Sequence, residues 1–393
     1  MRALWSVVLL FSLCGCWTMQ ASGESCSVLE FADPEVIGDS PDAVNLAFAD
    51  ADLDGDLDVF VIESSLITLF ENTGTPTSEW TGTTVGSGAW GSGIFARDVN
   101  GDGFPDAIAA LQAEAGVGWW ENPGGDGEWE VHQVSGDYNT YWLEGVEDVD
   151  GDGRVDFLVE CITLIIDDGW SEFSDFIVFK NAKAPSDTWS EIFLASDVRA
   201  TTGDINDDGR VDILAMFRLT EELCWFENDA LPVDDWKLHP IAAPHEIIGN
   251  MWPMDFDGDG DLDVAYRSSG RILSAWLNTD GVGETWLPAP GQIDMGDDFA
   301  SLATGDLDLD GDDDVAFIVD TTPGPGPAEY LLRVMRNGWM GEETWLDLSE
   351  AGFFDSSLSP RPFVVDLDSD GDRDLVVASP ERGVYFWKNL CVP

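Results

Sequence analysis

Runs of small, branched and aromatic residues recur along almost the whole chain between turn residues, and no stretch keeps the 3.6-residue period of an amphipathic helix. One unit is read the same way each time. A short alternating or small-residue run, such as 45–49 or 301–305, leads into an acidic stretch. An apolar, β-rich run follows, at 59–62, 107–111, 157–159, 213–217, 264–266, 315–319 and 375–378. A third run ends in asparagine, as LFEN at Asn72, WWEN at Asn122, VFKN at Asn181, WFEN at Asn228, AWLN at Asn278, VMRN at Asn337 and FWKN at Asn389. A fourth opens with tryptophan after a Gly/Pro/Ser/Thr turn, at Trp80, Trp129, Trp189, Trp236, Trp286 and Trp345. Four strands per unit, copied in series seven times, predict an all-β, seven-bladed β-propeller with four-stranded blades.

The ends of the array predict how the ring closes. The seventh unit stops just after Asn389 without its Trp-led strand, whereas residues 27–33 (SVLEFAD) precede the first unit and have no repeat of their own. Placed as the outer strand of the last blade, that N-terminal segment closes the ring and removes exposed sheet edges. It also brings Cys26 beside Cys391, where a bridge over so long a loop would stabilise by roughly 4 to 5 kcal/mol in the chain-entropy model. Cys161 and Cys224 are then either bridged or buried as thiols.

The acidic stretches are copies of DxDxDGxxD, beginning at Asp50, Asp98, Asp148, Asp204, Asp255, Asp306 and Asp366. Positions one, three, five and nine of each supply the candidate metal ligands. These are Asp50, Asp52, Asp54 and Asp58; Asp98, Asn100, Asp102 and Asp106; Asp148, Asp150, Asp152 and Asp156; and Asp204, Asn206, Asp208 and Asp212. The last three sets are Asp255, Asp257, Asp259 and Asp263; Asp306, Asp308, Asp310 and Asp314; and Asp366, Asp368, Asp370 and Asp374. Alternating oxygen donors around a sharp turn suit Ca²⁺, which takes six to eight oxygens, better than Mg²⁺, which demands a tight octahedron. Up to seven Ca²⁺ ions are expected. Glycine at position six of every copy permits the turn.

Two rival accounts of these loops fit less well. An EF-hand needs a glutamate at position twelve, but that position is Val61, Ala109, Val159, Ala215, Tyr266, Phe317 or Val377, each in a predicted strand. Solvated, metal-free hairpin turns would account for one copy but poorly for seven, because four unneutralised carboxylates in one loop repel.

Composition agrees. The chain has 77 acidic residues against 17 basic ones, a net charge of -60, and is 44% hydrophobic. About a third of the acidity lies at the candidate ligand positions. That charge argues against nucleic acid and anionic headgroups as partners, since both need Lys and Arg to displace counterions.

On these loops, their flanking strands and their period of about 48 to 60 residues, the chain resembles FG-GAP (VCBS) repeat proteins, the calcium-binding blades of integrin α-subunit propellers and of many bacterial surface proteins. The resemblance spans residues from about 27 to 393. It implies a propeller in which each acidic loop joins the first and second strands of a blade, with calcium held by the residues named above. The Phe-Gly and Gly-Ala-Pro elements that name the repeat are degenerate here, and the ligand-binding inserts of integrins have no evident match.

The N-terminus, MRALWSVVLLFSLCGCWTMQASG, has the charge, apolar stretch and small-residue tail of an export signal and is too short to span a bilayer. Leu13-Cys14-Gly15-Cys16 resembles the bacterial lipobox, which would make Cys16 the lipidated residue; ordinary cleavage near Ala21 is the other reading. Residues 1–23 are thus expected to be a signal and 24–393 the propeller, a monomer exported and lipid-anchored to the bacterial cell envelope or surface, else secreted, and touching membrane only through that anchor.

Function is expected on the face opposite the acidic loops, where the long connections are 135–142, 160–176, 241–252, 320–330 and 351–362. Trp90, Tyr138, Tyr141, Trp142, Trp170, His245 and Trp252 fall outside the predicted regular strand positions and are the candidate ligand-face residues, burial between blades being the competing account of each. Catalytic motifs are missing: there is no HExxH, no Cys/His zinc spacing and no GxSxG elbow among the 393 residues. The sequence therefore predicts a non-catalytic recognition or adhesion module binding protein or glycan, with a lectin-like or polysaccharide-active enzyme on the same scaffold as the alternative.

Overall fold

The computed structural model describes residues 29–38, 40–74, 80–112, 116–134, 140–166, 170–181, 189–229, 236–242, 250–269, 271–295, 299–321, 328–337, 344–347, 354–356, 359–380 and 382–391. They form seven antiparallel sheets, each in strand order one to four from the centre outward. Blade 1 shows the pattern: Ala43–Ala49, Asp58–Glu63, Leu66–Glu71 and Thr81–Ser87 pair in sequence. The first strands of blades 2 to 7 are Ala89–Arg97, Thr140–Glu147, Val198–Gly203, Met251–Met254, Phe299–Gly305 and Arg361–Val365. Blades 5 and 6 add a short extra strand, Ile293–Asp294 and Phe354–Ser356, against their third strands.

Burial explains why the second strands read as continuous apolar runs rather than alternating ones. Asp58–Glu63, Asp106–Leu111 and Asp374–Ser379 are buried along almost their whole length because each of their faces packs on a neighbouring blade. Fourth strands such as Thr81–Ser87 are largely exposed. Apolar clusters fill every junction between neighbouring blades, the seventh and first included, where Leu367, Val376 and Phe386 meet Leu46, Val59 and Val61. Each fully buried side chain of this kind contributes about 1.5–3 kcal/mol. The ring is closed.

Closure runs through the N-terminal segment, as its composition predicts, with the strand placed a little later than 27–33. Glu35–Ile37 pairs antiparallel with Gly383–Trp387 as the outer strand of blade 7. Earlier residues extend the pairing: Phe31 bridges Asn389, and the Ala32 amide donates to the Lys388 carbonyl at 2.9 Å. Cys391 is disulfide-bonded. Cys26 and the export-signal residues, Cys16 included, lie outside the described residues. Cys161 and Cys224 are free and buried, which settles that pair as thiols.

Several segments expected to be far-face connections are strands instead. Residues 160–176 belong mostly to one long hairpin, Asp156–Ile166 with Trp170–Lys180. Trp90, Tyr141, Trp142 and Trp252 lie in first strands, and Trp170 opens a third strand. Irregular pairing conceals this in the sequence: register shifts between Ala89 and Ile94 and between Leu143 and Gly145 break the two-residue alternation. Tyr138 and His245 lie outside the described residues.

Candidate metal loops and the opposite channel mouth

Each acidic nonapeptide joins the first and second strands of its blade, so all seven lie at one end of the propeller. Within a loop the backbone winds around its own carboxylates. In the first loop Asp50 accepts the Asp54 and Gly55 amides at 3.0 Å each, Asp52 accepts the Asp54 amide at 3.1 Å, and Asp54 accepts the Asp56 amide at 3.0 Å. The same bonds recur around Asp148 and Asp204. Asn100 and Asn206 take the position-three role through their carbonyl oxygens, at 2.9 and 3.1 Å from the next amide but one.

This winding requires two left-handed residues per loop. Gly55, Gly103, Gly153, Gly209, Gly260, Gly311 and Gly371 at position six all have positive φ, as the sequence predicts. Position four also has positive φ, and there only three copies carry glycine; Leu53, Asp207, Leu309 and Ser369 hold φ between 53° and 62°. Non-glycine residues held in that region cost on the order of 1–3 kcal/mol and gather where function over-determines the backbone. Position four has no composition signal, so the sequence does not disclose it.

Position nine is a structural hinge as well as a candidate ligand. Asp58 accepts the Ala51 amide on one oxygen and the Asn72 amide on the other, each at 2.7 Å. The Asn72 side chain then donates to the Leu57 carbonyl and, across the blade junction, to the Leu367 carbonyl, both at 3.2 Å. Asn122, Asn181, Asn278, Asn337 and Asn389 reach likewise to Ala51, Val99, Ile205, Phe256 and Leu307 of the preceding blade. The recurring asparagine is thus a latch between adjacent metal loops, and its loss would strand two buried carbonyls at about 1–3 kcal/mol each.

Carboxylate oxygens converge in the loops. One oxygen from each member of the sets Asp50/Asp52/Asp58, Asp148/Asp150/Asp156, Asp255/Asp257/Asp259, Asp306/Asp308/Asp314 and Asp366/Asp368/Asp374 lies within 4.8 Å of the others. Burial pushes the position-nine carboxyls up, to about 6 at Asp58, about 7 at Asp106, Asp156, Asp212 and Asp374, and about 8 at Asp263 and Asp314, against the amides each accepts. Buried oxygens of Asp257, Asp261, Asp312, Asp368 and Asp372 have no hydrogen-bond partner among the described residues. Orphaned, buried carboxylate oxygens with no nitrogen or sulfur donor among them fit a hard divalent cation. Five loops could hold a metal ion on this geometry.

The loops fall into two kinds. In the third, sixth and seventh, the residue before the latch asparagine is basic, and it folds over the loop: Lys180 pairs with Asp150, Arg336 with Asp308 and Asp310, and Lys388 with Asp368 and Asp370. The equivalent residue is Glu71, Glu121, Glu227 or Leu277 elsewhere. A resident ammonium must be displaced for a metal to take the same oxygens, so Lys388→Met should show opposite effects in two conditions. Its thermal midpoint should fall below wild type in EDTA, where the carboxylates lose the ammonium paired with them, and rise relative to wild type in excess Ca²⁺. A shift of the same sign in both would show that Lys388 does not compete with metal.

At the other end of the ring, the beginnings of the first strands surround the mouth of the central channel. Trp142 is 42% exposed and Trp90 43% exposed, while Tyr141 is 3% exposed and belongs to the core between blades 2 and 3. Trp252 is half-buried, its ring centroid 6.1 Å from that of Phe299. The structure therefore brings Trp142 and Trp252 to one cavity of about 510 Å³ in the channel, leaves Trp90 outside it and removes Tyr141 to the interior. Charged residues that the sequence did not single out share that cavity: Glu144, Arg199, Arg218 and Arg361. Scattered over three blades, they have no common motif, and only the closed ring assembles them.

Comparison with known proteins bears on the repeats. A family model described as an FG-GAP-like repeat matches residues 50–109, 98–159 and 255–317. No curated protein sequence matches the chain. Among solved structures, an Agrocybe aegerita lectin that recognises non-reducing terminal N-acetylglucosamine is similar at a TM-score of 0.45 and 14% identity, over 92% of this chain and 90% of that one. The V. cholerae biofilm matrix protein Bap1 is similar at a TM-score of 0.32 and 11% identity, over 88% of this chain and 76% of that one.

Proposed function

We propose, from the premise that this chain is a seven-bladed β-propeller carrying FG-GAP-like repeats, that it is a calcium-stabilised, non-catalytic recognition module. Calcium would occupy the acidic loops as structural staples, and a protein or glycan would bind at the opposite channel mouth. The observation that carries this reading is the division of labour between the two ends. The loop end is wrapped in its own backbone bonds, whereas the far end presents exposed Trp142 and half-buried Trp252 around an open polar cavity. Aromatic faces beside a few convergent polar groups are the usual composition of a small-ligand site.

The proposed location is the bacterial cell surface, reached by export and held by a lipid on Cys16, with Cys26 bridged to Cys391. Mass spectrometry of the mature protein tests both, since a diacylglyceryl mass on Cys16 and a Cys26–Cys391 peptide are expected, and a mature start near Ser22 would exclude the lipid.

Binding is tested on a glycan array in excess calcium, with wild type beside Trp142→Ala. Trp142 is exposed, so its truncation leaves the fold intact, and signal on a defined glycan class should drop about tenfold or more. An empty array, or hits indifferent to Trp142→Ala, would remove the proposed glycan surface. Glu144 and Glu160 share the cavity, which keeps the polysaccharide-active reading in view. Any glycan that binds is therefore incubated and assayed for cleavage, and turnover abolished by Glu144→Gln would make the protein an enzyme.

A further inference from the structure

We propose that the channel-mouth cavity is a site for an acidic sugar, a uronic-acid residue whose carboxylate is held by Arg361 and Arg199 and whose ring lies against Trp142 and Trp252. This rests on the binding face proposed above and names the ligand class it takes.

The argument begins with charge. A chain of net charge -60 has only 17 basic residues. Three of them, Arg199, Arg218 and Arg361, nevertheless line this one cavity, delivered by blades 4 and 7 to the same mouth. Hydrogen-bond accounting separates their roles. Arg218 is committed to structure, ion-paired to Glu160 and donating from Nη1 to Ser174 Oγ at 3.1 Å. Arg199 donates from Nη1 to Asn250 Oδ1 at 2.7 Å, which orients its guanidinium and leaves further donors. The Arg361 side chain makes no hydrogen bond among the described residues; the opposite charge acting on it is Glu144. A planar guanidinium with unspent donors matches a carboxylate bidentately, which an ammonium does not.

Three guanidiniums against two acids make the cavity cationic, and Glu144 sets by how much. Burial first, and then the neighbouring Glu160, push its carboxyl up to about 7, against the pull of Arg199, Arg218 and Arg361. Near neutrality it carries less than a full charge, which adds to the excess of three guanidiniums over two acids in an otherwise acidic molecule. A simple anion would need only the arginines. Glu144, Asn250 and Thr201 add acceptors and donors that hydroxyls can use, and the two indoles add flat apolar walls. A sugar acid offers all three chemistries at once, and about 510 Å³ lies within the size range of small-ligand pockets.

The test is calorimetry in saturating calcium with D-glucuronate, D-galacturonate, D-glucose and inorganic sulfate. One uronate should bind about tenfold or more tightly than glucose and than sulfate. Arg361→Gln and Arg199→Gln should each weaken it about tenfold, while Arg271→Gln, which breaks a surface pair with Asp294, should leave it unchanged. Lowering the pH from about 8 to about 6 protonates Glu144 and should strengthen uronate binding, because the acid sugar stays ionised throughout; Glu144→Gln should abolish that dependence. Thermal midpoints of the variants establish that each is folded.

Sulfate binding as tightly as the uronate would reduce the cavity to an anion site and overturn the sugar. Glucose binding equally well with sensitivity to Trp142→Ala would overturn the acid while leaving the recognition face standing. If neither sugar binds and the array is also empty, the recognition face itself fails.

Discussion

Removing calcium with EDTA should lower the thermal midpoint of this protein by more than about ten degrees. Five loops bring three carboxylates each within 4.8 Å, and a ligand present at a hundredfold excess over its dissociation constant stabilises the folded state by about 2.7 kcal/mol per site. With all five loops occupied the sum is about 13 kcal/mol, and each kcal/mol moves the midpoint of a chain this long by roughly one to two degrees. The effect should also depend on pH, with a sign that the burial of position nine fixes. In the metal-free protein Asp58, Asp106, Asp156, Asp212, Asp263, Asp314 and Asp374 titrate at about 6 to 8, well above the ordinary 3.8. Between about pH 4 and pH 8 the folded chain therefore holds protons that the unfolded chain has released. Its stability falls as pH rises through that window. Calcium needs the ionised carboxylates, so its increment should grow over the same range. Differential scanning calorimetry at about pH 5 and pH 8, each with EDTA and with Ca²⁺, measures all four corners. A midpoint indifferent to EDTA at pH 8 would mean that the loops hold no metal.

The loops and the ring were legible in the sequence because each depends on residues repeated in every copy. Acidic spacing, glycine at position six and an apolar position twelve such as Val61 or Val377 suffice to separate these turns from an EF-hand, and the structure buries those position-twelve residues in second strands. The terminal asparagine of WWEN or FWKN is visible as a recurring position, but its reach to the preceding blade is not, since nothing local encodes a bond from Asn389 to the Leu307 carbonyl. The far face was read least well. Tyr141 and Trp142 are neighbours in one strand and differ from 3% to 42% exposed because alternate residues face opposite sides, and the register shift beside Leu143 hides which side is which. Arg199 and Arg361 could not be paired from sequence at all, because only closure of the ring brings blades 4 and 7 to one mouth.

A chain truncated to begin at residue 39 should lose that closure and with it most of its stability. The deleted segment supplies Leu29, Phe31 and Ile37 to the cores flanking blade 7, at about 1.5–3 kcal/mol for each fully buried side chain. It also covers the outer edge of Gly383–Trp387, which would otherwise present unpaired amides and carbonyls beside Val384 and Phe386. The expected product melts more than about ten degrees below wild type and associates as its concentration rises, through the uncovered edge. Cys391→Ser separates the contribution of the bridge from that of the strand. It leaves Glu35–Ile37 and the Ala32–Lys388 bond in place, and removes only a constraint on the unfolded chain, worth about 2–5 kcal/mol in small domains. Calorimetry with light scattering on both proteins should therefore rank them wild type, then Cys391→Ser, then the truncation, with aggregation confined to the last. A truncated protein that melts within about two degrees of wild type would mean that the apolar junction between blades 7 and 1 holds the ring shut by itself.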